Sequence, residues 1–221
     1  MDWGNFIFLL IILIIGYLPY KFLMRLLPKG LSDISKLTSL GLIAWFILFS
    51  AIIFIQVKNP QIQTDSTVLL IFIITTIVWI LAPFVIPKIG VYPKEIAGQK
   101  PTWYSVQFKY HTFYLKYFEV LFQQSKFIFM LQLVLIGFTL IDRVILFTLI
   151  IGVFHLLNLY FLPKREAMVF FLFSIPMGGL FSLLIINGFL LLTISIHLWF
   201  YLIYSTLPWL NKNTIKVALN G

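Results

Sequence analysis

Glu119, His155 and His197 are the side chains of this sequence best suited to moving protons, and each lies in or beside a long apolar run. Lys126 is a fourth ionisable residue of the same kind. An acidic side chain at mid-bilayer costs roughly 3 kcal/mol on insertion scales, so it needs a partner or a purpose. Each has polar company at helical spacing. Glu119, Gln123 and Lys126 stand at i, i+4 and i+7, one face of a helix. His155 has Asn158 at i+3; His197 has Tyr201 at i+4 and Thr193 at i−4. Three polar stripes in an apolar bundle are expected to face inward, toward each other or toward water. Such groups serve either as hydrogen-bonding glue between helices or as chemistry. A carboxylate and two imidazoles can bind a divalent metal with an open position. They can also activate water directly: the carboxylate takes the proton, and the imidazoles stabilise an oxyanion and protonate a leaving amine. The zinc signature H-E-x-x-H is absent, and the three groups fall on separate helices. Metal-free water activation, with no cofactor, is the favoured chemistry.

The elements that must position these residues follow from composition. Of 221 residues, 61% are hydrophobic and only 10% charged, and the mean hydropathy is +1.03. This balance belongs to an all-α, polytopic integral membrane protein. The continuous apolar runs exclude a β-barrel. There is no cysteine, hence no disulfide and no thiol chemistry. The net charge of +9 is spread through short loops, as the positive-inside rule produces, and gives no reason to expect nucleic acid as a partner.

Hydropathy predicts about seven transmembrane helices, near 5–27, 38–57, 67–87, 117–140, 144–162, 168–186 and 189–206. The first has no basic stretch before it and is too long for a signal-peptide core, so it is expected to remain as a membrane helix. The run "LAPFVIPKIGVYP" is expected to break the third helix, and Pro176 to kink the sixth, where Gly178 and Gly179 admit a close neighbour. Between the third and fourth, "PTWYSVQFKYHTFYLKYFE" reads as an interfacial amphipathic helix, with His111 exposed on it. Lys116 belongs to that segment. The chain thus divides into three N-terminal transmembrane helices (1–90) and an interfacial helix plus four-helix core (101–210), within one compact membrane domain. Thirteen Lys and Arg fall on one side of this topology and two on the other. The N-terminus is therefore expected outside and the C-terminus in the cytoplasm. His155 then lies about 10 Å, and His197 about 14 Å, from the cytoplasmic end of its helix at 1.5 Å per residue. Glu119 enters from that side too, so the three can meet.

These residues resemble a family: the CAAX-protease and bacteriocin-processing membrane proteins, also called Abi proteins or type II CAAX prenyl endopeptidases. That family carries Glu-Glu-x-x-x-Arg, then Phe-x-x-x-His, then His-x-x-x-Asn/Asp. Here "FEVLFQ" at 118–123, "IGVFH" at 151–155 and "HLWFY" at 197–201 are similar to the three in turn. The resemblance spans roughly residues 105 to 206. It implies intramembrane peptidase chemistry in a bacterial plasma membrane, with Glu119, His155 and His197 catalytic and Gln123, Lys126, Asn158 and Tyr201 supporting. In the preferred alignment Phe118 stands for the first Glu, usually assigned as the water-activating base, and Gln123 for the Arg. Shifting by one makes Glu119 the base and puts Gln124 in the Arg place. Lys126 is expected to take over part of the missing Arg's role, with Lys116 a bystander.

Three functions compete. The first is a peptidase acting on a membrane-delivered peptide or protein. The second is a non-catalytic relative that binds or positions a membrane partner. The third is a transporter using the same polar groups as an ion path, which the lack of an internal repeat disfavours.

Overall fold

The computed structural model describes residues 2–26, 34–58, 60–89, 109–160 and 164–210. Among them are seven helices: α1 (Trp3–Leu26), α2 (Lys36–Val57), α3 (Ser66–Ile89), α4 (Tyr110–Phe129), α5 (Leu140–Leu156), α6 (Lys164–Ile186) and α7 (Leu190–Leu210). A wide turn of five residues, Met130–Val134, prolongs α4, and a tight turn, Leu157–Tyr160, prolongs α5. Four helices, α1, α2, α3 and α6, are long and apolar enough to cross a membrane. The apolar stretch of α7, Leu190–Thr206, is shorter, α5 has 17 residues, and α4 carries charge inside it.

Local chemistry sets several helix starts. Asp65 Oδ1 accepts the backbone N–H groups of Thr67 and Val68, both at 2.9 Å, at the head of α3. Thr139 caps α5, accepting from the Asp142 N–H, while its hydroxyl donates to Asp142 Oδ2 at 2.7 Å. Asp2 does the same for α1 through the Asn5 N–H. Each satisfies N–H groups that a helix start leaves unbonded and sets a carboxylate against the positive end of the dipole. Backbone bonds from Asp2 N to Val134 O (3.3 Å) and from Gln63 N to Gly188 O (2.8 Å) gather the start of α1, the end of α4 and two interhelix loops pairwise.

The most polar helix is the central one. α4 buries twelve of its twenty residues, whereas α2 buries five of twenty-two. α2 lies along α4, with the Phe46 ring stacked 5.3 Å from Phe122. α1 crosses Phe122 at Gly16, where a Cβ would come within 2.8 Å of the ring. α3 packs on α7, Trp199 Nε1 donating to Thr75 Oγ1 at 3.0 Å, and reaches α4 through Trp79, stacked 4.3 Å from Phe113. α5 and α6 form a close pair in which a Cβ on Gly178 would stand 3.3 Å from the Thr148 backbone, so the small-residue contact expected at "SIPMGG" is present.

Several expectations are corrected. α3 runs through Pro83 and Pro87 to Ile89. α4 starts at Tyr110 rather than 117 and stops at Phe129, so residues 110–116 are its first two turns and not a separate interfacial helix; 101–108 lie outside the described residues. His111 is not exposed: it is partly buried, with Nε2 3.3 Å from Ile34 O. Lys116 is not in a loop but inside α4 and 4% exposed, which leaves the basic tally at twelve to two. Low hydropathy explains the displaced boundary, because the polar first turns of α4 are buried by protein rather than facing lipid.

Gly188 has φ +86°, and a Cβ there would meet Gln63 Cγ at 2.9 Å. Gly188→Ala is therefore expected to lower stability by about 1 kcal/mol or more. Gly41→Ala, mid-helix with nothing within 4 Å, is expected to raise it by about 0.5–1 kcal/mol. Thermal unfolding in one detergent compares the two.

Candidate functional site

Glu119 projects from the middle of α4 and is 1% exposed. Among the described residues four donors surround its carboxylate. Oε1 accepts from the Tyr17 hydroxyl at 3.0 Å and the Gln123 amide at 2.9 Å. Oε2 accepts from the Tyr20 hydroxyl at 2.9 Å and the Lys116 ammonium at 2.9 Å. A carboxylate has about four acceptor directions, so all are taken. Helical geometry explains three of these residues. Lys116 and Gln123 lie at i−3 and i+4, above and below Glu119 on one face, and Tyr17 and Tyr20 are one turn apart on α1, so both reach it.

The two lysines of α4 divide the work differently from the expectation. Lys116, not Lys126, forms the ion pair shown with Glu119, and its ammonium also sits 4.0 Å from the centre of the Tyr201 ring. Lys126, 7% exposed, lies over the Tyr17 ring at 4.2 Å and the Phe122 ring at 4.5 Å. It therefore acts on the carboxylate through the tyrosine whose hydroxyl bonds Oε1. Gln123 joins the same corner by also donating to the Tyr17 oxygen at 3.2 Å. Such cation–ring contacts gain strength when desolvated.

A cavity of about 290 Å³ opens beside this cluster, between α1, α4 and α5. Leu9, Leu13 and Tyr17 form one wall, Glu119, Gln123 and Lys126 another, and His155 and Tyr201 complete it. Leu10, Ile14, Phe154 and Leu157 at its rim are exposed on the outer surface of the bundle, so the cavity opens sideways. The His155 Nδ1 lies 2.8 Å from Ile151 O. As donor in that bond, Nδ1 carries the neutral ring's proton, and Nε2 is the basic nitrogen.

Two of the three residues expected to act together, Glu119 and His155, thus share one cavity. His197 does not line it. Its ring stacks on Tyr201 at 5.2 Å, behind the cavity wall, and its Nδ1 accepts from the Gln124 amide at 2.9 Å. Lys116, His155 and Glu119 still lie within electrostatic range of the ring. Thr193, one turn earlier, bonds the Leu190 carbonyl. The Asn158 side chain lies outside the described residues. Among the described residues no three His, Asp or Glu come together as metal ligands. Tyr17, Tyr20, Lys116 and Gln124 are parts of the site that the sequence reading passed over. The tyrosine pair carried a signal, two hydroxyls at i and i+3 inside an apolar run.

Comparison with known proteins places no relative beside this geometry: no family model, no curated protein and no solved structure matches the chain.

Lys116→Met strands the Glu119 charge in the interior. It is expected to cost about 3–5 kcal/mol, while Lys164→Met, at an exposed position, stays within about 0.5 kcal/mol. Denaturation midpoints in mixed micelles measure both.

Proposed function

We propose that this chain is a seven-span membrane protein, N-terminal side outside and C-terminal side cytoplasmic, that binds a single-chain amphiphile with an anionic head and does not hydrolyse it. One observation carries the reading: every acceptor direction of Glu119 is occupied by Tyr17, Tyr20, Lys116 and Gln123. A general base must have a lone pair within reach of the proton it takes. To act as one, Glu119 would have to release a buried partner. Its role here is to fix Lys116 and the two tyrosines, and through Tyr17 to set the place of Lys126.

The cavity's lining supports a binding role. Apolar α1 residues lead in from the lipid-facing rim, and Lys126 and His155 wait at the inner wall. Lys126 and His155, both on that wall, offer N–H donors that suit an anionic head. About 290 Å³ holds about ten groups of water size at ~30 Å³ each, enough for one short chain. The Gln123-to-Glu119 hydrogen bond also suits the alignment in which Gln123 takes the Arg place. In that alignment Phe118, which cannot accept a proton, takes the place of the base.

The peptidase reading stands second, favoured by the shared cavity of Glu119 and His155. Affinity-tagged wild type, Glu119→Gln and Lys126→Met, drawn from membranes and extracted for bound molecules, separate the two. The binding reading expects the same anionic amphiphile on wild type and Glu119→Gln, reduced at least tenfold on Lys126→Met. A peptide enriched on Glu119→Gln alone, with its fragments on wild type, would establish catalysis instead.

A further inference from the structure

α1 and α4 run antiparallel, and their contacts keep one register along the pair. Tyr20 meets Glu119, Gly16 meets Phe122, Phe8 meets Phe129, and the Asp2 N–H reaches the Val134 carbonyl. α5 keeps a second register with α4. Arg143 meets Leu131 and Phe147 meets Phe127, so four residues along α5 match four residues back along α4. The same step, taken twice more, sets His155 level with Glu119. The Lys126 ammonium lies back on the Tyr17 and Phe122 rings, as a helical side chain leaning toward its own N-terminus does. The cations and the carboxylate of the α1, α4 and α5 cavity therefore gather at one end of it.

The other end is apolar. Leu9 and Met130 line it and are buried, at 5% and 4% exposure. At that level α1 and α4 close on each other, with the Phe8 and Phe129 rings 5.3 Å apart. Met130 also opens the wide turn, two of whose carbonyls are held, Leu131 by Arg143 and Val134 by Asp2. The closed end is thus tied to α5 and to the start of α1. From Tyr17 to Leu9 is eight residues, or ~12 Å at 1.5 Å per helical residue. An extended chain advances about 1.2 Å per bond, since three backbone bonds span about 3.6 Å. About ten bonds fit that length, and the volume of about 290 Å³ independently holds about ten groups of water size.

We infer that Leu9 and Met130 are the stop against which the end of the bound chain rests, and that they set the site's preference for a straight chain of about eight to ten carbons. The inference rests on the anionic-amphiphile reading above and adds the length of the tail and the residues that measure it. The side opening at Leu10, Ile14, Phe154 and Leu157 is the way in, and the chain then lies along the helices with its head at Lys126 and His155.

The probes are straight-chain alkanoates from hexanoate to hexadecanoate, competing with tritiated decanoate for the full chain in lipid nanodiscs. Retention on Lys126→Met measures partition into the lipid and is subtracted. Octanoate or decanoate should compete best, and hexadecanoate at least tenfold more weakly. Leu9→Ala and Met130→Ala should each lengthen the best competitor by about two to three carbons, because either truncation frees about as many heavy atoms. Leu9→Phe should shorten it. Ile15→Ala, exposed and off the cavity, should not move it. A measurement on the wild type needs no variant to fold: decanoate with a diazirine at its terminal carbon should give adducts at Leu9 and Met130. With the diazirine beside the carboxylate, the adducts should move to Ile151 and His155. Equal competition by decanoate and hexadecanoate, an optimum unmoved in both alanine variants, or terminal adducts on Leu10, Ile14 or the lipid-facing helices would each overturn the stop and leave the binding reading standing. No alkanoate retained above Lys126→Met would overturn both.

Discussion

The structure turns on one carboxylate buried where a bilayer gives it no water. Glu119 can sit at 1% exposure only because an ammonium and three neutral donors converge on it. Removing charges from water is expensive, and the mutual attraction repays it only with good geometry and with the remaining lone pairs satisfied. Meeting that condition fixes much else. α1 must cross α4 at the level of Tyr17 and Tyr20, close enough that Gly16 meets Phe122. α7 must bring Tyr201 under Lys116. The polar cluster is thus the reason why helices distant in sequence share one packing.

α4 is the axis of this arrangement because its two sides serve different purposes. Glu119, Gln123 and Lys126 face the α1 and α5 side, with the larger share of charge. Phe118, Leu121 and Gln124 face the α2 and α7 side, which is uncharged. A continuous run of contacts joins them: Gln124 to His197, His197 to Tyr201, Tyr201 to Lys116, Lys116 to Glu119. At its far end α4 widens into the Met130–Val134 turn, whose Leu131 carbonyl accepts from Arg143 at 2.6 Å. The freed carbonyl is satisfied by the next helix, as polar backbone inside a membrane protein requires.

The seven helical runs, the face shared by Glu119, Gln123 and Lys126, and the close approach at Gly178 were legible, because each rests on a period or a residue size. What the sequence hid was orientation about helix axes. Depth counted from helix ends put Glu119, His155 and His197 at one level, but depth does not say which way a side chain turns, and His197 turns behind Tyr201. Lys116 looked like loop charge because basic residues beside an apolar run usually are. It is buried because Glu119, three residues on, draws it inward. The hydroxyls of Tyr17 and Tyr20 acquire meaning only when α1 meets α4.

The central claim is that Glu119 organises a binding site through its charge balance and does not take part in bond breaking. It is tested most directly by measuring anionic-amphiphile retention on the double variant Lys116→Met with Glu119→Gln. That variant removes the carboxylate and the ammonium together and leaves no stranded charge. The account expects it to be more stable than Lys116→Met alone, by about 1–3 kcal/mol, and to hold the amphiphile within a few-fold of wild type. A double variant that folds as well as wild type yet leaves a membrane peptide uncleaved that wild type processes would contradict the account and make Glu119 a base.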